Sequence, residues 1–162
     1  MEKSLVEKSL VIAEIRASAA HVVSIARDRF GQELGFDEEA VRWLDGFIQR
    51  QHEAGDPKNN HGLVNTLGSF LGECIIHSIG GEWDCVRFVE VGLKERIAQS
   101  FGSEWDLVDG LVCVRFDERN AAFPFTKVAK HLENGSEAGD SVLGFFTGTA
   151  ELIPFWKGSN RG

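Results

Sequence analysis

Asn65, Ser69, Glu73 and His77 recur at steps of four residues, so on a helix they form a single ridge. A carboxylate one turn before an imidazole can hold a proton or a polar ligand group, and a cleft along this ridge would suit a small enzyme or a ligand-binding protein. The same ridge also reads as solvated helix surface, where a Glu–His pair contributes only about a few tenths of a kcal/mol. A second set carries sulfur. Cys74 and His77 form a Cys-x-x-His pair with Cys85 and Cys113 downstream, a zinc donor set on paper. The spacing counts against it, because structural zinc pairs come from tight knuckles and Cys74 falls mid-helix between apolar neighbours. The cysteines therefore read as buried, reduced thiols of a cytoplasmic protein, and no metal or cofactor is expected.

Nucleophilic catalysis by a serine or cysteine with His77 lacks a supporting motif. The chain has no Gly-x-Ser-x-Gly elbow and no cysteine-protease signature. Glu73 with Asp106 or Asp109 would make a carboxylate pair only if the fold brought them together. None of these constellations specifies an enzyme, so a non-enzymatic role is the expectation.

Two further groups point to binding. Arg115, Arg119, Lys127, Lys130 and His131 fall within seventeen residues, a patch that could receive an acidic peptide or phosphate. The alternative is that they are cations near a helix carboxyl end, complementing its dipole. Four tryptophans and twelve phenylalanines are many for this length. Trp43, Trp105 and Trp156 lie off every apolar stripe described below, and exposed aromatics favour protein interfaces. The interface candidates are thus Trp43, Trp105, Trp156, Arg115, Lys127 and Lys130.

The elements that must position these residues are organised around residues 60–83. Leu63, Leu67, Phe70, Leu71, Cys74, Ile75 and Ile79 mark one face of a helix, with Asn60 as N-cap and Gly80-Gly81 as the stop. Gly68 and Gly72 share another side. Each costs roughly 1 kcal/mol against alanine, so another backbone should pack very close there. Upstream, residues 5–30 predict a helix burying Val11, Ile15, Ala19, Val22, Ala26 and Phe30. A second helix begins at the Asp37 N-cap, with Glu38 and Glu39 in its first turn and a Phe36–Val41 staple. It buries Val41, Leu44, Phe47 and Ile48 and fades near His52.

Downstream the period changes. Residues 82–91 and 111–116 read as strands, 93–101 is ambiguous, and Gly81-Glu82-Trp83-Asp84 is echoed at 102–106. Pro124 opens a helix whose face is Phe125, Val128, Ala129 and Leu132, closed by Asn134-Gly135. A last helix is predicted from an Asp140 N-cap, bearing Val142, Phe145, Phe146, Thr149, Ala150 and Ile153 and ended or broken by Pro154. Residues 156–162 read as a loose tail. The sum is one α+β domain over 1–162, a small antiparallel sheet of three or four strands covered by about five helices.

Two stretches carry a resemblance: Leu67-Gly68-x-Phe70-Leu71-Gly72-Glu73 with Gly80-Gly81-x-Trp83, and Pro124-Phe125-x-Lys127-Val128-x-Lys130 with Glu133-Asn134-Gly135 and Asp140-Ser141. Together they resemble a group of small bacterial proteins of unknown function in which an LGE helix precedes a tryptophan-led strand. The resemblance implies a bacterial origin and an α+β fold, and carries no activity.

Composition narrows the partners. A net charge of −8 across 162 residues opposes sequence-independent nucleic-acid binding, which needs a basic field, and suits a basic protein partner. Residues 10–26 are apolar but interrupted by Glu14, Arg16 and His21, so no membrane span of about 20 residues is expected. The expectation is a cytoplasmic interaction module, of an immunity or adaptor type, acting on a protein partner. A homo-dimer is also compatible with the sequence.

Overall fold

The apolar spacing in residues 60–83 becomes helix α3, His61–Ser78, in the computed structural model, which describes residues 2–55, 61–85 and 112–159. Every residue from 67 to 75 is buried, because α3 is packed on several sides at once. Helix α1 (Glu2–Phe30), helix α2 (Glu38–Ala54), helix α4 (Pro124–Asn134) and strand β2 (Val112–Arg115) all lie against it. The Asn60 cap lies outside the described residues. At the other end Gly80 and Gly81 hold φ of 121° and 95°, and the Gly80 amide bonds back to the Ile75 carbonyl at 3.0 Å. Only glycine takes that exit without strain.

The α1 stripe buries Val11, Ile15, Ala19, Val22 and Ala26 as its spacing predicts. Phe30 departs from it and is 51% exposed. By length and composition alone Ser9–Phe30, with mean hydropathy 1.4, is long and apolar enough to cross a membrane despite Glu14, Arg16 and His21, a measure that a core helix of a globular protein also meets. Its buried stripe belongs to the same core as α3. Helix α2 begins as foreseen. Asp37 accepts from the Ala40 amide at 2.9 Å, and Gly55 closes the far end at φ 68°.

Strand β1 (Glu82–Cys85) pairs antiparallel with β2, and β2 with the short β3 (Ala121–Ala122), giving the order β1-β2-β3. Trp83 lies opposite Val114, and Val114 opposite Ala122. Strand β3 was not foreseen. Its turn is made by Asp117, whose Oδ1 accepts the amides of Arg119 (2.7 Å) and Asn120 (2.8 Å), a local side-chain bond that fixes a tight turn. Val112, Cys113 and Val114 are all buried, so β2 is covered on both faces. The expected strand over 86–91, the ambiguous 93–101 and the tryptophan echo at 102–106 lie outside the described residues.

Helix α4 starts with Pro124 in its first turn, and Gly135 at φ 78° follows its end. A 3-10 turn (Ser136–Ala138) leads to helix α5 (Val142–Ser159). Two sequence expectations fail here. Asp140 is not the cap, because Lys127 and Asn134 engage its carboxylate, and Ser141 accepts the Gly144 amide instead. Pro154 does not end α5, which continues to Ser159. Proline removes the donor for the Ala150 carbonyl, and Ala150 lies on the exposed side, where water can take that acceptor. Residues 156–159 of the expected loose tail are therefore helical. Among the described residues the fold is five helices and a three-stranded antiparallel sheet, an α+β architecture.

Candidate functional site

The ridge on α3 does not stay on one surface. Ser69 and Glu73 are 1% and 7% exposed, Asn65 is half-buried and His77 exposed. The Ser69 hydroxyl donates to the Asn65 carbonyl at 2.6 Å. Glu73 Oε2 accepts the Trp83 indole N–H at 3.0 Å within the core. His77 stacks on the Phe36 ring, centroids 4.9 Å apart, and Phe36 also leans on Phe70 at 5.7 Å. The centre of the ridge, Ser69 and Glu73, is thus spent on internal bonds and is not a solvated surface.

The glycine pair explains this inward turn. A Cβ at Gly72 would overlap the six-membered ring of Trp83, and one at Gly68 would overlap the Phe125 ring and come 3.0 Å from the Phe125 Cα. The close approach predicted from these glycines is therefore real, but at Gly72 the intruder is an indole rather than a backbone. With Trp83 seated on Gly72, its N–H reaches the adjacent Glu73. Trp83 and Phe125 lie 5.7 Å apart across the same notch.

The cysteine set disperses. Cys74 and Cys113 are fully buried, while His77 is at the surface. Burial, reinforced by the charge of Asp37, raises the Cys74 pKa far above the thiol range, which keeps it protonated and unreactive. Among the described residues no three His, Cys, Asp or Glu side chains gather so as to hold a metal ion. Asp106 and Asp109 lie outside the described residues.

The basic patch also separates. Arg115 Nε bonds Asp84 Oδ2 at 2.6 Å, and that hydrogen bond holds the guanidinium pKa above its usual value. Lys127 Nζ pairs with Asp140 Oδ1 at 3.3 Å. The Asn134 hydrogen bond and then Lys127 lower the Asp140 pKa. Lys130 is exposed. His131, grouped with these cations by its spacing, is fully buried: it lies on the side of α4 that faces α2.

That side of α4 belongs to a polar network which sequence reading missed. Asp45, Gln49 and His52 run along α2 beside its buried stripe. His52 Nδ1–H donates to the Leu132 carbonyl at 2.9 Å. Gln49 Oε1 accepts the Ser136 amide at 2.9 Å and the His131 Nε2–H at 3.1 Å. Asp45 Oδ1 accepts the Ser141 hydroxyl at 2.5 Å and the Leu143 amide at 3.0 Å. His131 Nδ1 accepts the Val142 amide at 3.3 Å. All three free amides of the first turn of α5 are thereby taken, by His131, Asp45 and Ser141. The available signal was the polar row at 45, 49 and 52 flanking the α2 stripe, opposite the turn-rich segment 133–141.

Serine, histidine and aspartate meet here without forming a nucleophile. In a catalytic triad the imidazole bridges serine and carboxylate, whereas Ser141 donates directly to Asp45 and accepts from an amide. Both nitrogens of His131 are engaged elsewhere, so no imidazole faces the hydroxyl.

Trp43 is the interface candidate that the structure places in a cluster. It stacks on Phe47 with centroids 5.4 Å apart and planes 20° from parallel. Phe30, at the end of α1, meets both rings edge-on at 5.8 and 6.1 Å. Aromatic pairs of this kind contribute about 0.5–1.5 kcal/mol beyond area burial, yet Phe30 stays half open to solvent and Trp43 and Phe47 are only partly covered. Arg42, paired with Glu38 at 3.6 Å, and Arg50 stand beside them on α2. Trp105 lies outside the described residues, as does the side chain of Trp156, whose backbone is in α5.

Comparison with known proteins returns no matching family, no matching curated protein and no matching solved structure, so the resemblance to small bacterial proteins of unknown function rests on the motif residues alone.

Proposed function

We propose that this chain is a bacterial, cytoplasmic protein-interaction module, and that Phe30, Trp43 and Phe47 form the centre of its binding face. The observation that carries the reading is the exposure of Phe30 within a three-ring cluster. A large aromatic left half in water at the junction of two helices is what an interface anchor looks like before its partner arrives. The net charge of −8 favours encounter with a basic partner over long range. Cys74, a free thiol buried in the core, suits a reducing compartment. An adaptor or a toxin-neutralising immunity protein would have this size and charge, by analogy alone.

The rival, an enzyme or ligand-binding protein with its cleft along Asn65, Ser69, Glu73 and His77, is weakened by the burial of Ser69 and Glu73 and by the Trp83 bond. The test is affinity capture with the wild type, with Phe30→Ser/Trp43→Ala, and with Leu152→Ser as an exposed apolar control. A stoichiometric partner kept by wild type and control but lost by the double variant is the expected result. Equal capture by all three, or a bound small molecule instead of a protein, would overturn the proposal.

A further inference from the structure

The first turn of α5 is held by a ring nitrogen that can accept only while its imidazole is neutral. His131 is fully buried, and its two nitrogens have fixed roles. Gln49 Oε1, which can only accept, takes the Nε2–H at 3.1 Å, leaving the Nδ1 lone pair for the Val142 amide at 3.3 Å. This tautomer works only while the ring is neutral. A proton on Nδ1 would put two donors face to face. The groups that bear on the ring's charge come from every side of the junction: Asp45 and His52 from α2, Lys127 from α4 itself, and Asp140 from the turn before α5. Burial, His52 and Lys127 resist protonation, while Asp45 and Asp140 assist it. Asp45 Oδ1 stands 3.8 Å from Nδ1 and already accepts Ser141 and Leu143. It could serve a protonated ring only by giving up part of its hold on α5.

We propose that the α2–α4–α5 junction is an acid-operated latch: protonation of His131 withdraws the acceptor from Val142, draws Asp45 off Leu143 and Ser141, and frees the start of α5 from α2. The released segment would uncover Val142, Phe146 and Ile153, now 0%, 3% and 6% exposed. Glu151 and Lys157 are the only charged residues of α5, so the uncovered helix is strongly apolar. The latch converts acidification into local exposure of that surface, with the core around α3 left intact. It is independent of the aromatic binding face at Phe30 and Trp43.

The experiment is amide hydrogen exchange by NMR on the full chain between about pH 7.5 and pH 5, with the histidine ring signals titrated in parallel. Protection factors for Val142 and Leu143 are expected to fall by about tenfold or more as His131 protonates, while those of Leu71, Cys74 and Ile75 in α3 hold. His131→Gln, which cannot titrate, should abolish the transition, and His52→Gln should retain it. If His131→Gln does not fold, the wild-type comparison alone decides, because the two midpoints must coincide. Protection at Val142 and Leu143 that persists beyond the His131 titration would overturn the latch. So would its loss together with the α3 amides, which is global unfolding.

Discussion

Two glycine-to-alanine substitutions, identical in chemistry, should move stability in opposite directions. Gly148 lies in α5 with nothing within 4 Å of the position a Cβ would take. Alanine there should gain about 0.5–1 kcal/mol, through helix propensity and a less free unfolded chain. Gly72 would gain the same propensity, but its Cβ would overlap ring atoms of Trp83 and come 2.9 Å from Cζ3. Trp83 is 3% exposed, leans on Phe125 and is tied by its N–H to Glu73, so the ring cannot slide aside freely. Overpacking costs about 1–3 kcal/mol, and a displaced indole leaves a buried donor and acceptor unpaired for about 1–3 kcal/mol more. After subtracting the gain of about 1 kcal/mol, the net loss centres on about 3 kcal/mol. With a urea slope of about 2 kcal/mol per molar, the Gly72→Ala midpoint should fall by about 1.5 M and the Gly148→Ala midpoint should rise. A Gly72→Ala protein as stable as wild type, alongside a stabilised Gly148→Ala, would show that α3 is not seated on Trp83 in the way described.

Other consequences are equally direct. Glu73→Leu strands the Trp83 N–H in the core and should cost roughly 1–3 kcal/mol in urea unfolding, while Glu73→Gln keeps an acceptor and should cost less. Alkylation followed by peptide mass spectrometry should find Cys74 unmodified in the native protein and labelled after denaturation, as its burial and raised pKa require. The acid dependence of stability has two windows. His131 has a lowered pKa in the fold, so the unfolded chain takes up the proton first. Its contribution is complete above the ordinary histidine value of about 6.5 and is lost as pH falls through the lower folded value. The Asp140 contribution, from a lowered carboxyl, is lost only on further acidification below the usual carboxylate range. A urea midpoint that does not fall between about pH 7 and pH 5 would contradict the first window.

Periodicity located what depends on neighbours in the chain. The α1 stripe from Val11 to Ala26, the Asp37 cap, the Gly80-Gly81 exit and the Pro124 start are local signals, and each appears where its residues place it. The side chains of α3 were harder to assign. A helix with one apolar stripe leaves its other side undecided between solvent and a second neighbour. Ser69 and Glu73 went inward because Trp83, on β1, fills the notch at Gly72. The glycine spacing announced a close neighbour, but nothing local could say that it was an indole carrying a donor for Glu73. The α2–α4–α5 network was hidden for the same reason. Asp45 and Leu143 are 98 residues apart, and charge spacing alone grouped His131 with cations when its hydrogen-bond partners are the Val142 amide and Gln49. Asp140 misled as a cap because a carboxylate and a hydroxyl stand side by side before α5, and the carboxylate is engaged by Asn134 and Lys127 instead.

The borrowed cap of α5 also sets an order of events in time. Only Ser141 among its three first-turn acceptors is adjacent in sequence, and the others arrive on α2 and α4. A helix whose initiating turn is completed by distant side chains gains little until those elements have docked, so α5 should close onto the rest of the chain after the transition state for folding. Removing Asp45 by alanine substitution should then steepen escape from the native state while leaving the rate of reaching it almost unchanged, visible as a raised unfolding limb over an unmoved folding limb. A matching drop in the folding limb would place α5 in the nucleus instead. In a chain emerging from synthesis, every other described element precedes α5, and its docking site can be complete before its first residue appears.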